Sequence, residues 1–273
     1  MLHATFRLTL RSLGLCLPMM AAMALAGSAP ACALEPGEFD PAPFDSLLQT
    51  YVRDGAVDYA AWKQNGLTSL DRFLDDAATH DLTKLMGKEP RAGFLINAYN
   101  AWAIRQIVAA YPVERVQDIP GFYDGNRRRI AGEDRSLAEI EATLDAILPH
   151  QPDYIFALSS GAADMPALAG EAYRSDAFVP RIRRAALAYL NGPQPVVYDH
   201  EKNVLHLPPP FRGHVERFQA LHQGLQGFLS PYIPLADLVA LQTDSPKLEI
   251  AESLGTLRKP QSAAPGDSSG AER

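Results

Sequence analysis

From Phe94 to Trp102 the chain reads Phe-Leu-Ile-Asn-Ala-Tyr-Asn-Ala-Trp, apolar around nearly the whole circumference of a helix. A helix without a polar face has to be enclosed on most sides, so the rest of the domain must wrap it. The pattern predicts a helix from about Pro90 to Tyr111. Proline in the first turn forfeits no hydrogen bond, and Pro112 stops the helix. Asn97 and Asn100, three residues apart, share one stripe with Gly93 and Ile104. A buried amide left unpaired costs about 1–3 kcal/mol, so both side chains need partners outside their own helix. Loop backbone is the expected partner. The favoured reading is structural asparagines that tie down loops; the alternative is amides lining a ligand pocket.

The elements around this helix read as α+β, predominantly helical, with short strands and hairpins in a single compact domain. Phe44 to Val52 has helical spacing and ends at the turn signal Asp54-Gly55. A second amphipathic helix is predicted from Thr68 to about Ala78. Residues 127 to 137 form a short hairpin turning over Ala131 to Asp134. Ser136 with Glu139 is a capping box that opens a helix to about Leu148. Asp153 to Leu158 is expected as a short apolar strand. Ser175 to Leu190 is a helix closed by Asn191-Gly192, and Pro195 to Leu207 is a second hairpin around His200 to Asn203. Helices between Phe211 and Leu241 complete a domain spanning 44–250. Residues 34–43 form an extended lead-in, and residues 251–273, small and polar beyond Lys259, are expected as a disordered tail.

The first 33 residues carry Arg7 and Arg11, no acid, an apolar run from Leu13 to Ala26, and Ala31-Cys32-Ala33. That run has about 14 residues, short of the roughly 20 a bilayer-spanning helix needs. The pattern is that of a secretory signal peptide cut between Ala33 and Leu34, with Ala31 and Ala33 as the small residues the peptidase reads. The expected location is outside the cytoplasm, periplasmic or secreted, with no stable membrane insertion once the signal is removed. A lipid-bearing Cys32 is the alternative, although Ala29-Pro30-Ala31 is a poor lipobox.

Both cysteines lie in this segment. The remaining chain would therefore have no disulfide, thiolate metal site or cysteine nucleophile. It would carry 23 basic against 32 acidic side chains, a formal charge of −9. Such an acid balance argues against nucleic acid or an anionic membrane as partner. An unidentified small molecule or an envelope protein is the expected partner, and no cofactor is called for.

Several segments resemble, in order, the family called domain of unknown function 547. They are "LLQTYVRDGAVDYAAWK" at 47–63, "FLINAYNAWAIRQIV" at 94–108, "SLAEIE" at 136–141, "FALSSGAADMPALAGEAY" at 156–173, "LAYLN" at 187–191 and "FLSPYIP" at 228–234. The resemblance implies two cysteines and two histidines at positions where this chain has other residues. The cysteine positions fall on Ser160 and Met165, the histidine positions on Ala142 and Ile155. If the family works through a cysteine aided by histidine, both groups are absent here.

Ser160 is left as a weak catalytic candidate with Asp164 nearby, yet "SSGAAD" lacks the Gly-x-Ser-x-Gly elbow. A serine hydroxyl needs a positioned base even more than a thiol does. Ser159 and Ser160 are better read as bonding the loop backbone. Asn97, Tyr99, Asn100, Glu141, Ser159 and Ser160 are the candidate binding residues. His200, His206, His214 and His222 lack the spacing of a helical metal site, so no metal is expected. The Arg127-Arg128-Arg129 run and Arg181, Arg183 and Arg184 read as solvated faces paired with local acids; the alternative is an anion site built from both clusters. The expected role is a non-catalytic binding or scaffold domain. The alternative is a hydrolase or transferase using Ser160 with a histidine from elsewhere, His200 or His206 being nearest in sequence.

Overall fold

Helix α4, Lys88–Ala110, is the axis of the fold, and its residues from Ala92 to Ala101 are all buried. The computed structural model describes residues 39–260. The expected signal segment with Ala31, Ala33 and Leu34, and the tail beyond residue 260, lie outside the described residues.

Helices α1 (Ala42–Tyr51), α2 (Tyr59–Asn65) and α3 (Leu67–Thr79) form the first layer. Between α1 and α2 a two-residue ladder pairs β1, Val52–Arg53, with β2, Ala56–Val57. The lead-in expected to run to Pro43 ends earlier, because α1 starts at Ala42. Pro43 falls in its first turn, where proline is pre-organised for helix, and Asp40 accepts the Ala42 N–H at 2.9 Å. Leu70, Phe73, Leu74 and Ala77 give α3 a buried face, and α2 and α3 both pack on α4.

The hairpin of β3 (Arg128–Ile130) and β4 (Glu133–Arg135) turns over only two residues, Ala131 and Gly132. Both have positive φ, the geometry that matches the twist of a tight hairpin. Their N–H groups donate to the carbonyls of Ala77 and Ala78, which fastens the turn to the end of α3. In the arginine run, Arg127 pairs with the nearby Glu139, whereas Arg128 pairs with Asp75 of α3, 53 positions away. Helix α5, Leu137–Ile147, opens on the full capping box of Ser136 and Glu139 and packs against α4.

The strand expected at Asp153 to Leu158 is corrected. Residues Pro152–Ala157 form a 3-10 helix that packs on α6, Phe178–Leu190. Tyr154, Ile155, Phe156 and Ala157 are all buried, so the run has no alternation from which strand and helix can be told apart. Pro152 suits the start of a helical turn, and no sheet edge pairs with this segment.

The C-terminal part holds β5 (Val197–Asp199), β6 (Val204–Leu207), α7 (Val215–Gln219), α8 (Gly224–Leu229), α9 (Leu235–Thr243) and β7 (Lys247–Ile250). β5 and β6 are antiparallel, and β7 joins β6 in parallel. Rings of Phe156, Phe211, Phe218 and Phe228 meet at centroid distances between 4.6 and 6.3 Å and tie this part to the 3-10 segment.

The tail expected from residue 251 is corrected for residues 251–258. They form a strap laid between Glu114–Val116 and Gly161–Ala163, with four backbone bonds of 2.8–2.9 Å: Val116 to Gly255, Leu257 to Glu114, Ala163 to Thr256 and Arg258 to Gly161. Leu257 is buried beneath it. The class is α+β and mainly helical, with short strands in small sheets. Among the described residues no helix is long and apolar enough to cross a membrane.

Candidate functional site

The polar stripe of α4 positions the loop that follows the 3-10 segment. Asn97 Nδ2 donates to the Tyr173 carbonyl at 2.8 Å, and its Oδ1 accepts the Tyr173 N–H at 2.8 Å. Asn100 Nδ2 donates to the Ala157 carbonyl at 3.0 Å, and its Oδ1 accepts the Ser159 N–H at 2.9 Å. Each amide thus holds both ends of a backbone bite. Gly93, on the same stripe, lets the Tyr173 segment come close: a Cβ there would lie 3.3 Å from the Tyr173 carbonyl oxygen. Asn97 and Asn100 are both 2% exposed. The arrangement is that of structural asparagines tying down loops. Tyr99, on the same helix, is buried with its phenol pKa raised, first by burial and then by Glu141 and Tyr123.

The loop itself is tightly held. Ser159 Oγ accepts the Gly161 N–H at 3.3 Å, a serine turn of the expected kind. Gly161 has φ +81°, and a Cβ there would sit 2.5 Å from the Tyr59 hydroxyl, so only glycine fits. Ser160 is 1% exposed, and its hydroxyl makes no hydrogen bond of ordinary geometry. Among the described residues no histidine nitrogen bonds to it. The Tyr123 phenol is its electrostatic neighbour. Burial raises the Tyr123 pKa, the Ser160 hydroxyl draws it partly back, and the carboxylates of Glu141 and Asp164 push it up.

Both carboxylate oxygens of Asp164 are engaged. Its Oδ1 accepts the Ser253 hydroxyl at 2.8 Å, and its Oδ2 accepts the Leu254 N–H at 2.6 Å. The carboxylate therefore anchors the strap. The Asp164 carbonyl accepts the Tyr189 hydroxyl at 2.8 Å, which joins the loop to α6.

Glu141 meets a partner that sequence reasoning missed. His214 Nε2 lies 2.7 Å from Glu141 Oε1, and the buried Nδ1 on the other side of the ring has no partner. The Tyr154 ring stands edge-on to the imidazole, its hydroxyl donates to Asp145 at 2.6 Å, and Arg217 pairs with Asp145. Glu141 and His214 are 73 positions apart, and no local pattern announces such a contact. The remaining paired histidines stand at the surface, His200 with Asp237 and His206 with Glu249. Among the described residues no cluster of three or more histidine, cysteine or carboxylate side chains converges as a metal site would.

Beside the loop lies an open cleft of about 550 Å³, in the size range of small-ligand pockets. One wall is the loop from Ala163 to Glu171, the other the face of α6 carrying Arg181, Arg184, Ala185, Ala188 and Tyr189. The strap contributes Arg258. Ser160 and the asparagines do not line it; they support its loop wall from behind. The sequence pointed to this loop but not to the cleft, because the walls come from three separate stretches of chain.

Fold and site together define a mainly helical α+β domain with a buried serine, whose hydroxyl has no hydrogen-bond partner among the described residues, and an adjoining cleft. The family model described as "Protein of unknown function, DUF547" matches residues 83–190, so that segment of the chain is similar to this family. The matched stretch runs from the approach to α4 through the capped helix and the serine loop to the end of α6. No curated protein and no solved structure matches the chain.

Proposed function

We propose that this protein is an exported, non-catalytic binding domain of the cell envelope, and that the cleft between α6 and the loop at 163–171 is its ligand site. The observation that carries the reading is the state of Ser160: enclosed, without a base, and with the neighbouring Asp164 carboxylate engaged by the strap. Nucleophile activation needs a base within about 2.6–3.2 Å of the attacking hydroxyl. The cleft offers what binding needs instead, a concave and largely apolar surface with a few polar groups. A serine-directed fluorophosphonate should leave the protein unlabelled. Labelling that disappears in Ser160→Ala would overturn the reading in favour of a hydrolase or transferase. The unpartnered Nδ1 of His214 is what favours that second reading, since a glutamate-bound imidazole with one free nitrogen is a general-base arrangement.

The export part of the proposal rests on the amino-terminal pattern alone. The mature protein isolated from its native cell should begin at Leu34, with an intact mass free of thiol. An unprocessed N-terminus, or a diacylglycerol on Cys32, would show the assignment to be wrong.

A further inference from the structure

We infer that the cleft takes a single-chain amphiphile with an anionic head, the head held by Arg258 and Arg184 and the chain lying along the apolar walls. This deepens the binding reading above and rests on it.

The first ground is an imbalance of charge. Three arginines line the cleft, Arg181, Arg184 and Arg258, against one carboxylate, Glu171. Arg181 is neutralised by that carboxylate and also donates to the Ala172 carbonyl. Arg184 has no hydrogen-bond or ion-pair partner among the described residues. Arg258 donates from one terminal nitrogen to the Ala163 carbonyl at 2.8 Å and the Met165 carbonyl at 3.0 Å. Those carbonyls orient the guanidinium without cancelling its charge, and its other donors stay available for a fork-like grip on a carboxylate or phosphate. Two uncompensated guanidiniums in one concavity are the exception in a chain with formal charge −7.

The second ground is the wall. Ala163, Ala167, Leu168, Ala185 and Ala188 offer apolar or small surface, with the Tyr189 ring between the two sides. The Tyr189 hydroxyl is turned to the Asp164 carbonyl, which leaves the ring as apolar lining. A small inorganic anion would use the arginines and leave this surface wet. A neutral hydrocarbon would fill it and make no use of the arginines. A ligand with both parts uses the whole cleft.

Calorimetric titration with decanoate and decyl phosphate, each below its micellar concentration, and with decanol tests this. Both anionic ligands should bind, with decanol at least about tenfold weaker, the usual effect of one charge-assisted contact. Arg184→Gln and Arg258→Gln should each weaken the anions by about tenfold and leave decanol unchanged. Arg184 is exposed and unpartnered, so its variant should keep the parent melting temperature. Ala188→Trp, which fills the cleft from an exposed position, should abolish binding of all three. Equal affinity for decanol and decanoate, or anion affinity untouched by Arg184→Gln, would overturn the anionic head while leaving a binding cleft. No binding of any of the three, or binding that survives Ala188→Trp, would remove the cleft as the ligand site as well. If decyl phosphate alone binds among the anions, the head is a phosphate ester; if decanoate alone binds, it is a free carboxylate.

Discussion

Replacing Asn97 with alanine should destabilise the domain by about 2–5 kcal/mol in urea unfolding, with little change in the slope of the transition. The side chain satisfies both the N–H and the carbonyl of Tyr173 in a position that water does not reach. Removing it strands both backbone groups, and each stranded buried group costs about 1–3 kcal/mol. Asn100→Ala should fall in the same range through Ala157 and Ser159. A loss under about 0.5 kcal/mol for either would mean that the loop is not held from the helix.

Leu257→Ala should be similarly severe, about 2–5 kcal/mol, the usual result of truncating a buried leucine. Leu257 is 4% exposed and lies against the loop at Gly161. Its effect should also be local in a way a surface tail could not produce. The N–H groups of Ala163, Leu257 and Arg258, which close the strap, should lose hydrogen-exchange protection before the amides of α4 do. Unchanged stability together with unchanged protection would show that residues 251–258 do not close the domain.

The strap also shows why part of this protein could not be read along the chain. A stretch such as "ESLGTLRKP" has no periodicity and little apolar content, so it reads as tail. It is ordered by groups far away: the Asp164 carboxylate, the carbonyls of Glu114 and Gly161, and a pocket for one leucine. The 3-10 segment at 152–157 failed for a different reason. A short run buried on every side carries no period, and its conformation is settled by the helix packed on it.

What the sequence determined by itself was local or absolute. An all-apolar stretch of helix had to be central, and amides within it had to find partners. A serine followed three residues later by glutamate had to open a helix. Confining both cysteines to the first 33 residues meant that the described domain holds no thiol of its own. The tertiary structure alone decided which backbone the asparagines hold, that Glu141 meets His214, that Asp164 anchors the strap, and that Arg184 and Arg258 face one cleft. Hydrogen bonding at helical spacing is written in neighbouring residues. Convergence of groups tens of positions apart depends on how whole elements pack, and no single stretch of sequence carries that information.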